Sequence, residues 1–326
     1  FMVQEIFALA GATSFFDSLA FGIIALVLVG GSWCLVGLGM GDAPKRGVDT
    51  SIVQFFGGFV SVIVSIIVAW VTNSWETGIA SKMALLACSS FILSGFMNFF
   101  MLQFMSKAMQ TGPNGVIWSI IQSGCVSPFI CSIVLFKVVE FTWLRGIGII
   151  CLLAALVLFV FTKNNESKGG NLWMLQAFIC FAIVAVQQNL MVWPSYYESA
   201  NSVSSIVRAL CVAGGTLLAS VVYNAVKMSE EQKQKIKQNL TNVMLWKYVL
   251  TLQFFNLIFA YTLFYPGMDV MAKLGRGGMC YPMMVGSCIV FFTIISVLLL
   301  KERIRLIQLA AIAACITGLV LICTAA

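Results

Sequence analysis

The sequence predicts an all-α integral membrane protein of ten transmembrane helices, arranged as two inverted five-helix repeats. Three observations lead there. First, the chain has 326 residues, 60% of them apolar and only 10% charged, with a mean hydropathy of +0.99, far from the averages of soluble domains. Second, its apolar stretches run for about twenty residues, the length a helix needs to cross a bilayer core, and lack the alternation of a barrel strand. Third, features recur in the two halves, most clearly an asparagine embedded in an apolar segment of each: Phe96-Met97-Asn98-Phe99-Phe100 and Phe254-Phe255-Asn256-Leu257-Ile258.

Residues 1–20 form a lead-in whose apolar part is short and is interrupted by Thr13, Ser14, Asp17 and Ser18; it reads as interfacial or partly ordered. The first repeat occupies 21–162. Its segments run 21–40, with Gly30-Gly31-Ser32-Trp33 at the middle, then 51–72, 83–105, 115–136 and 142–162. A polar, glycine-ended stretch at 163–171 is the linker between the repeats. The second repeat, 172–326, holds segments at 172–193, 203–226, 246–265, 279–300 and 306–324. Between the second and third of these, Ser229-Glu230-Glu231 followed by Lys233, Lys235 and Lys237 places acids before bases, as a short surface helix prefers.

The halves align at three ordered places. Asn98 falls on Asn256, Gly112 and Gly115 fall on Gly275 and Gly278, and Leu135-Phe136-Lys137 with Glu140 falls near Leu299-Leu300-Lys301-Glu302. Because five is odd, the second copy must enter the membrane from the opposite face, and a site is expected between the copies at midplane depth.

These residues resemble the drug/metabolite transporter superfamily, in particular its EamA-like branch. The likeness rests on two five-helix repeats, a Gly30-Gly31-Ser32-Trp33 break in the first helix, Pro282 early in segment nine, and Leu300-Lys301-Glu302-Arg303 before a final Ala/Gly-rich helix. The first copy departs from it by carrying Pro128 deeper in segment four. The resemblance implies that the first four helices of each repeat surround a central cavity, that the fifth and tenth pack outside it, and that the halves rock to give alternating access.

Polar side chains inside spans tend to face other helices or water, so they mark the candidate lining. Gln187-Gln188-Asn189 in segment six is the densest such group, and its repeat mate is Gly30-Gly31-Ser32-Trp33. Asn98 and Asn256 line the site or bond helix to helix. Gln122 shares a face with Ser119 beside Trp118. Trp33, Trp118 and Tyr261 are either ligand contacts or members of lipid-facing belts. Arg208, about five residues into its segment, can contact an anion or snorkel to the interface. Asp269 and Lys273, four apart, read as a local salt bridge or, less simply, a gate. The matched pairs Gly57-Gly58 and Gly214-Gly215 serve close packing or hinging.

The expected function is a carrier of a small polar or amphipathic organic solute, such as an amino acid, a nucleobase or nucleoside, or an organic cation, through a cavity lined by helices one, three, four, six, eight and nine. Multiply charged phosphates would call for an Arg/Lys cluster, and only Arg208 is at hand. With no histidine and no carboxylate at the middle of a span, strong proton coupling is not supported. The competing classes are a membrane enzyme and a non-transporting scaffold or receptor subunit. No catalytic motif is present, so the expectation is no enzyme and no cofactor. The net charge of +7 is scattered singly through short gaps, which excludes a nucleic-acid face. The eleven cysteines lie almost entirely in apolar runs and behave as small hydrophobes rather than metal ligands. The expected partners are the solute, the lipid bilayer and a second copy bound through the outer helices, in a plasma or inner membrane. Lys and Arg number thirteen on one side and six on the other, which puts the termini outside, whereas the resemblance puts them in the cytoplasm.

Overall fold

The computed structural model describes residues 13–75, 81–161, 172–227, 229–299 and 306–324. The linker at 163–171, the Leu300-Lys301-Glu302-Arg303 stretch and most of the lead-in lie outside these residues. In chain order the long helices are α1 (Leu19–Asp42), α2 (Thr50–Val71), α3 (Lys82–Thr111), α4 (Asn114–Gln122, a 3₁₀ turn Ser123–Cys125, and Val126–Val134) and α5 (Trp143–Phe161). There follow α6 (Leu172–Val192), α7 (Ser205–Val226), α8 (Val243–Phe259, a π turn Ala260–Phe264, and Tyr265–Lys273), α9 (Cys280–Leu299) and α10 (Leu306–Thr324). Among the described residues, seven helices (α1 to α4 and α6 to α8) are long and apolar enough to cross a membrane, and the apolar stretches of α5, α9 and α10 are shorter. The polar segment between α7 and α8 forms the short helix Glu230–Leu240.

Helix starts are set by side chains that accept from otherwise unpaired first-turn amides. Ser18 accepts from Phe21, Asp49 from Ser51, Ser81 from Ala84, Ser204 from Val207 and Asn242 from Met244. The faces are reversed relative to a soluble helix. On α2, Ser51, Gln54, Ser61 and Ser65 are buried at helical spacing while Phe59, Ile63, Ile66, Ile67 and Trp70 are exposed, the arrangement expected where lipid is the solvent.

Three local features differ from the sequence reading. Helix α1 is unbroken through Gly30-Gly31-Ser32-Trp33. Gly30 instead admits the neighbouring helix, since a Cβ there would overlap the Met284 carbonyl and the Ser287 hydroxyl of α9. In α4, Pro128 has no N–H to give the Gly124 carbonyl, and the chain tightens into its 3₁₀ turn at that point. In α8, Pro266 likewise cannot donate to Thr262, and the π turn Ala260–Phe264 lies there. The helix then continues to Lys273 rather than ending near 265, which draws Asp269 into the packed interior.

The pairings follow a consistent pattern of direction. Helices α3 and α7 run parallel: Phe99 meets Tyr223 with centroids 5.2 Å apart, and Thr216 Oγ1 donates to the Gly95 carbonyl at 2.9 Å. Gly95 and Gly215 face the backbone of the opposite helix here, so close approach is what they supply. Helices α2 and α8 run parallel as well, tied by Ser61 to Gln253 (2.6 Å) and Ser65 to Tyr261 (2.5 Å). Helix α6 packs antiparallel on α3, and α1 antiparallel on α8. Helices α5 and α10 pack on each other through Gly148 and Gly318, away from the centre.

Candidate functional site

A cavity of about 230 Å³ lies among α1 to α4 and α6 to α9. No described residue of α5 or α10 lines it. Seven of the ten residues singled out from the sequence meet on its wall: Trp33, Asn98, Trp118, Gln122, Gln187, Gln188 and Asn256. They arrive from five helices, so what brings them together is tertiary packing. The wall also uses α2 and α7, which the lining expected from the sequence's polar residues left out and the resemblance placed around the cavity, through Gln54, Ser61, Ala213 and Thr216.

The wall's carboxamides fall into two groups. Some are already bonded: Gln187 Nε2 donates to Asn98 Oδ1 at 3.1 Å, and Gln253 Oε1 accepts from Ser61. Others hold buried atoms with no partner, namely Gln54 Oε1 and Nε2, Gln122 Oε1 and Gln188 Oε1, and beyond the carboxamides the same holds for Tyr281 Oη and Trp118 Nε1. Gln54, Gln122 and Gln188 are 3%, 5% and 4% exposed. A buried polar group without a hydrogen bond costs about 1–3 kcal/mol, and such groups are uncommon unless something arrives to satisfy them. Among the described residues, the wall carries no Asp, Glu, Lys or Arg.

At one end the cavity is floored by aromatic rings packed on each other. Trp33 lies 5.7 Å from Phe264 and 6.3 Å from Tyr281, and Phe264 lies 4.7 Å from Tyr265. Behind Tyr265 is the strongest electrostatic feature of the interior. Arg208, 1% exposed, donates from Nη1 to Asp269 Oδ1 at 2.9 Å and from Nε to the Val203 carbonyl at 2.8 Å. Its guanidinium carbon sits 5.6 Å from the Tyr265 ring centroid, within cation–π range. Ser195, just after α6, donates to the same Asp269 oxygen at 2.9 Å. One carboxylate thus clasps α7, α8 and the end of α6. The sequence pairing of Asp269 with Lys273 is replaced by this longer-range pair, because the π turn and the extended α8 carry Asp269 inward.

At the other end Asp42 accepts from Arg46 Nε at 2.7 Å and from Tyr248 Oη at 2.5 Å, linking α1 to α8 in a more exposed setting.

Three of the residues picked out from the sequence lie off the wall. Asn189 donates to Ser127 Oγ at 2.9 Å and to the Ala185 carbonyl at 2.7 Å. Arg208 is held in the clasp, and Tyr261 shares its hydroxyl with Ser65. Of the glycine pairs, Gly58 and Gly215 abut the backbone of the facing helix, whereas a Cβ at Gly214 would meet nothing. Sequence reasoning missed Gln54, Gln253 and Tyr281. The one usable signal was the Gln54, Ser61, Ser65 spacing on α2.

No family model matches the chain, and no curated relative does. Among solved structures, a chain described as "Crystal structure of protein" superposes over 92% of this chain and 94% of its own length, with a TM-score of 0.59 at 14% identity. At that identity the likeness is one of fold.

Proposed function

We propose that the chain is a membrane carrier that moves a small polar organic solute by alternating access, built as two inverted five-helix repeats and related to the EamA-like drug/metabolite transporters. One observation carries the reading: a cavity enclosed by membrane helices whose wall holds buried carboxamides with unpaired atoms. In lipid such a wall is costly when empty and useful when a polar solute fills it.

The two-repeat reading is supported by matched pieces. Helices α1 and α6 each lead into a four-residue 3₁₀ turn with proline second, Ala43–Arg46 and Trp193–Tyr196. Helices α2 and α7 are both 22 residues long. The packing pairs also come as mates under exchange of halves: α3 on α6 with α8 on α1, α7 on α3 with α2 on α8, and α9 on α1 with α4 on α6. The mates share their sense, parallel with parallel and antiparallel with antiparallel. A unit of five crossings repeated in this way is inverted.

Alternating access needs a closure at each end. The aromatic floor, where Trp33 of the first half meets Phe264 and Tyr281 of the second, closes one end and is backed by the largely buried Arg208–Asp269 clasp, whereas Asp42, Arg46 and Tyr248 close the other with more exposed partners, which hold less strongly. The conformation seen here is therefore the one shut at the Arg208 end.

The test is counterflow of labelled metabolites into liposomes containing the purified protein. The expected result is saturable uptake above that of protein-free liposomes, reduced at least about tenfold in Gln188→Leu, whose unpaired amide is removed. Equal uptake with and without protein, across amino acids, nucleobases and organic cations, would overturn the reading.

A further inference from the structure

The geometry points to an uncharged, flat nitrogen heterocycle with a hydrogen-bond donor beside an acceptor on one edge, as in a nucleobase, as the solute this cavity holds; the inference rests on the carrier reading above and narrows it to one chemical class.

Charge comes first. With no ionisable acid or base on the wall except tyrosine, a charged solute would leave water with nothing to offset the loss. Arg208 and Asp269 neutralise each other behind the floor. A zwitterionic amino acid needs a cation for its carboxylate and an acceptor cluster for its ammonium, and the wall has no cation to give.

An organic cation is the next candidate, because aromatic cages bind quaternary ammonium groups. Here the rings are occupied by one another. Trp118 stacks on Phe292 with centroids 5.2 Å apart and planes 16° apart, and Phe264, Tyr265 and Tyr281 are buried in the floor. Tyr265 already faces the Arg208 guanidinium, so a second cation against that floor would be repelled.

Hydrogen bonding then selects among neutral solutes. Most of the unpaired wall atoms belong to carboxamides, Gln54 at both atoms and Gln122 and Gln188 at their oxygens, and the Tyr281 hydroxyl and Trp118 N–H complete the set. A carboxamide presents a donor and an acceptor side by side, and its two-bond complement is another donor–acceptor edge, the way Asn and Gln read a base. A single hydroxyl has one proton to give, whereas three glutamine oxygens and one amide N–H on the wall are unpaired, so a ring with several N–H and acceptor groups answers more of them. A planar solute suits the one wall aromatic that is only half-buried, Trp33, which can stack with it through the part of its indole that Phe264 and Tyr281 leave uncovered. Size agrees: about 230 Å³ equals the liquid volume of about eight water molecules, room for a ring system with a small substituent.

The experiment pairs transport with binding. Purified protein in liposomes is given labelled uracil, adenine, alanine or choline, and the same protein in detergent is heated with each. The prediction is saturable flux of uracil or adenine, competition by the unlabelled base, at least about tenfold weaker competition by 1,3-dimethyluracil, whose N–H edge is blocked, and a raised Tm with the base that moves. Flux of alanine or choline without either base overturns the solute class and leaves the carrier reading standing. A base that raises Tm but is not moved keeps the solute class and overturns the carrier. No flux and no thermal shift with any of the four overturns both. Gln122→Leu and Gln188→Leu serve as controls at the wall, each expected to lose base flux; a variant that unfolds is replaced by Gln→Glu at the same site, which keeps the shape and brings a charge. Undiminished base flux in a folded variant at both sites would place the solute elsewhere and overturn the assignment.

Discussion

At the scale of single residues, the interior is organised by a contrast between satisfied and unsatisfied polar groups. Arg208 and Asp269 are the most consequential satisfied pair. A charge this deep is tolerable only when partnered, and removing one partner strands the other. Arg208→Gln is therefore expected to lower stability by about 2–4 kcal/mol, read as a fall in Tm in detergent. Adding Asp269→Asn to it should recover a large part of the loss, because the stranded carboxylate is then gone. Independent, additive losses in this double-mutant cycle would show that the pair is not coupled. The wall amides were legible in the sequence because Asn98, Gln122, Gln187, Gln188 and Asn256 interrupt apolar runs, and a polar group inside lipid has few places to point. Gln54 was not, since it lies so near the start of its helix that it reads as an end-of-span polar residue. The Arg208–Asp269 pair was illegible for another reason: the partner of a buried charge is chosen by tertiary packing, and the adjacent Lys273 was the wrong local answer.

At the scale of elements, helix boundaries were readable from composition, and the departures from ideal helix were not. Segment ten, predicted at 306–324, forms over Leu306–Thr324; segment eight runs well beyond its predicted end at 265 because Pro266 is absorbed by a π turn rather than ending the helix. Glycine positions show why composition misleads at this scale. Gly214 and Gly215 are neighbours on α7, yet only the second meets another backbone, at Ile92 of α3. Gly215→Ala should push α3 and α7 apart and lower Tm by several degrees, with a cost above about 2 kcal/mol from overpacking. Gly214→Ala should leave Tm unchanged or raise it, by up to about 1 kcal/mol of helix propensity. Equal effects at the two sites would contradict the close α3–α7 packing. The same contrast resolves Gly30, expected as a helix break and found as a docking point for α9.

At the scale of the whole molecule, the sequence conveyed an all-helical membrane chain, and the arrangement around a cavity came from packing. The wall gathers side chains from eight helices, and periodicity cannot say which faces of eight helices converge. What the repeat pattern did supply was the expectation of a site between the halves, and the lining is drawn from both. The mated packing pairs then carry a mechanical consequence. If the halves rock about the cavity, the end where Trp33 of the first half meets Phe264 and Tyr281 of the second must open when the end held by Asp42 and Tyr248 closes. The exposed positions Val138 and Leu274 sit near the first end, and Lys107 and Val226 near the second. Spin labels introduced there through a non-natural amino acid leave the native cysteines untouched. The most direct measurement is the electron–electron distance across each pair in lipid nanodiscs, in wild type and in Trp33→Ala. Loss of the Trp33 contacts with Phe264 and Tyr281 is predicted to lengthen the Val138–Leu274 distance and shorten the Lys107–Val226 distance together. Distances that stay fixed at both ends, or that lengthen at both, would contradict a carrier working by alternating access.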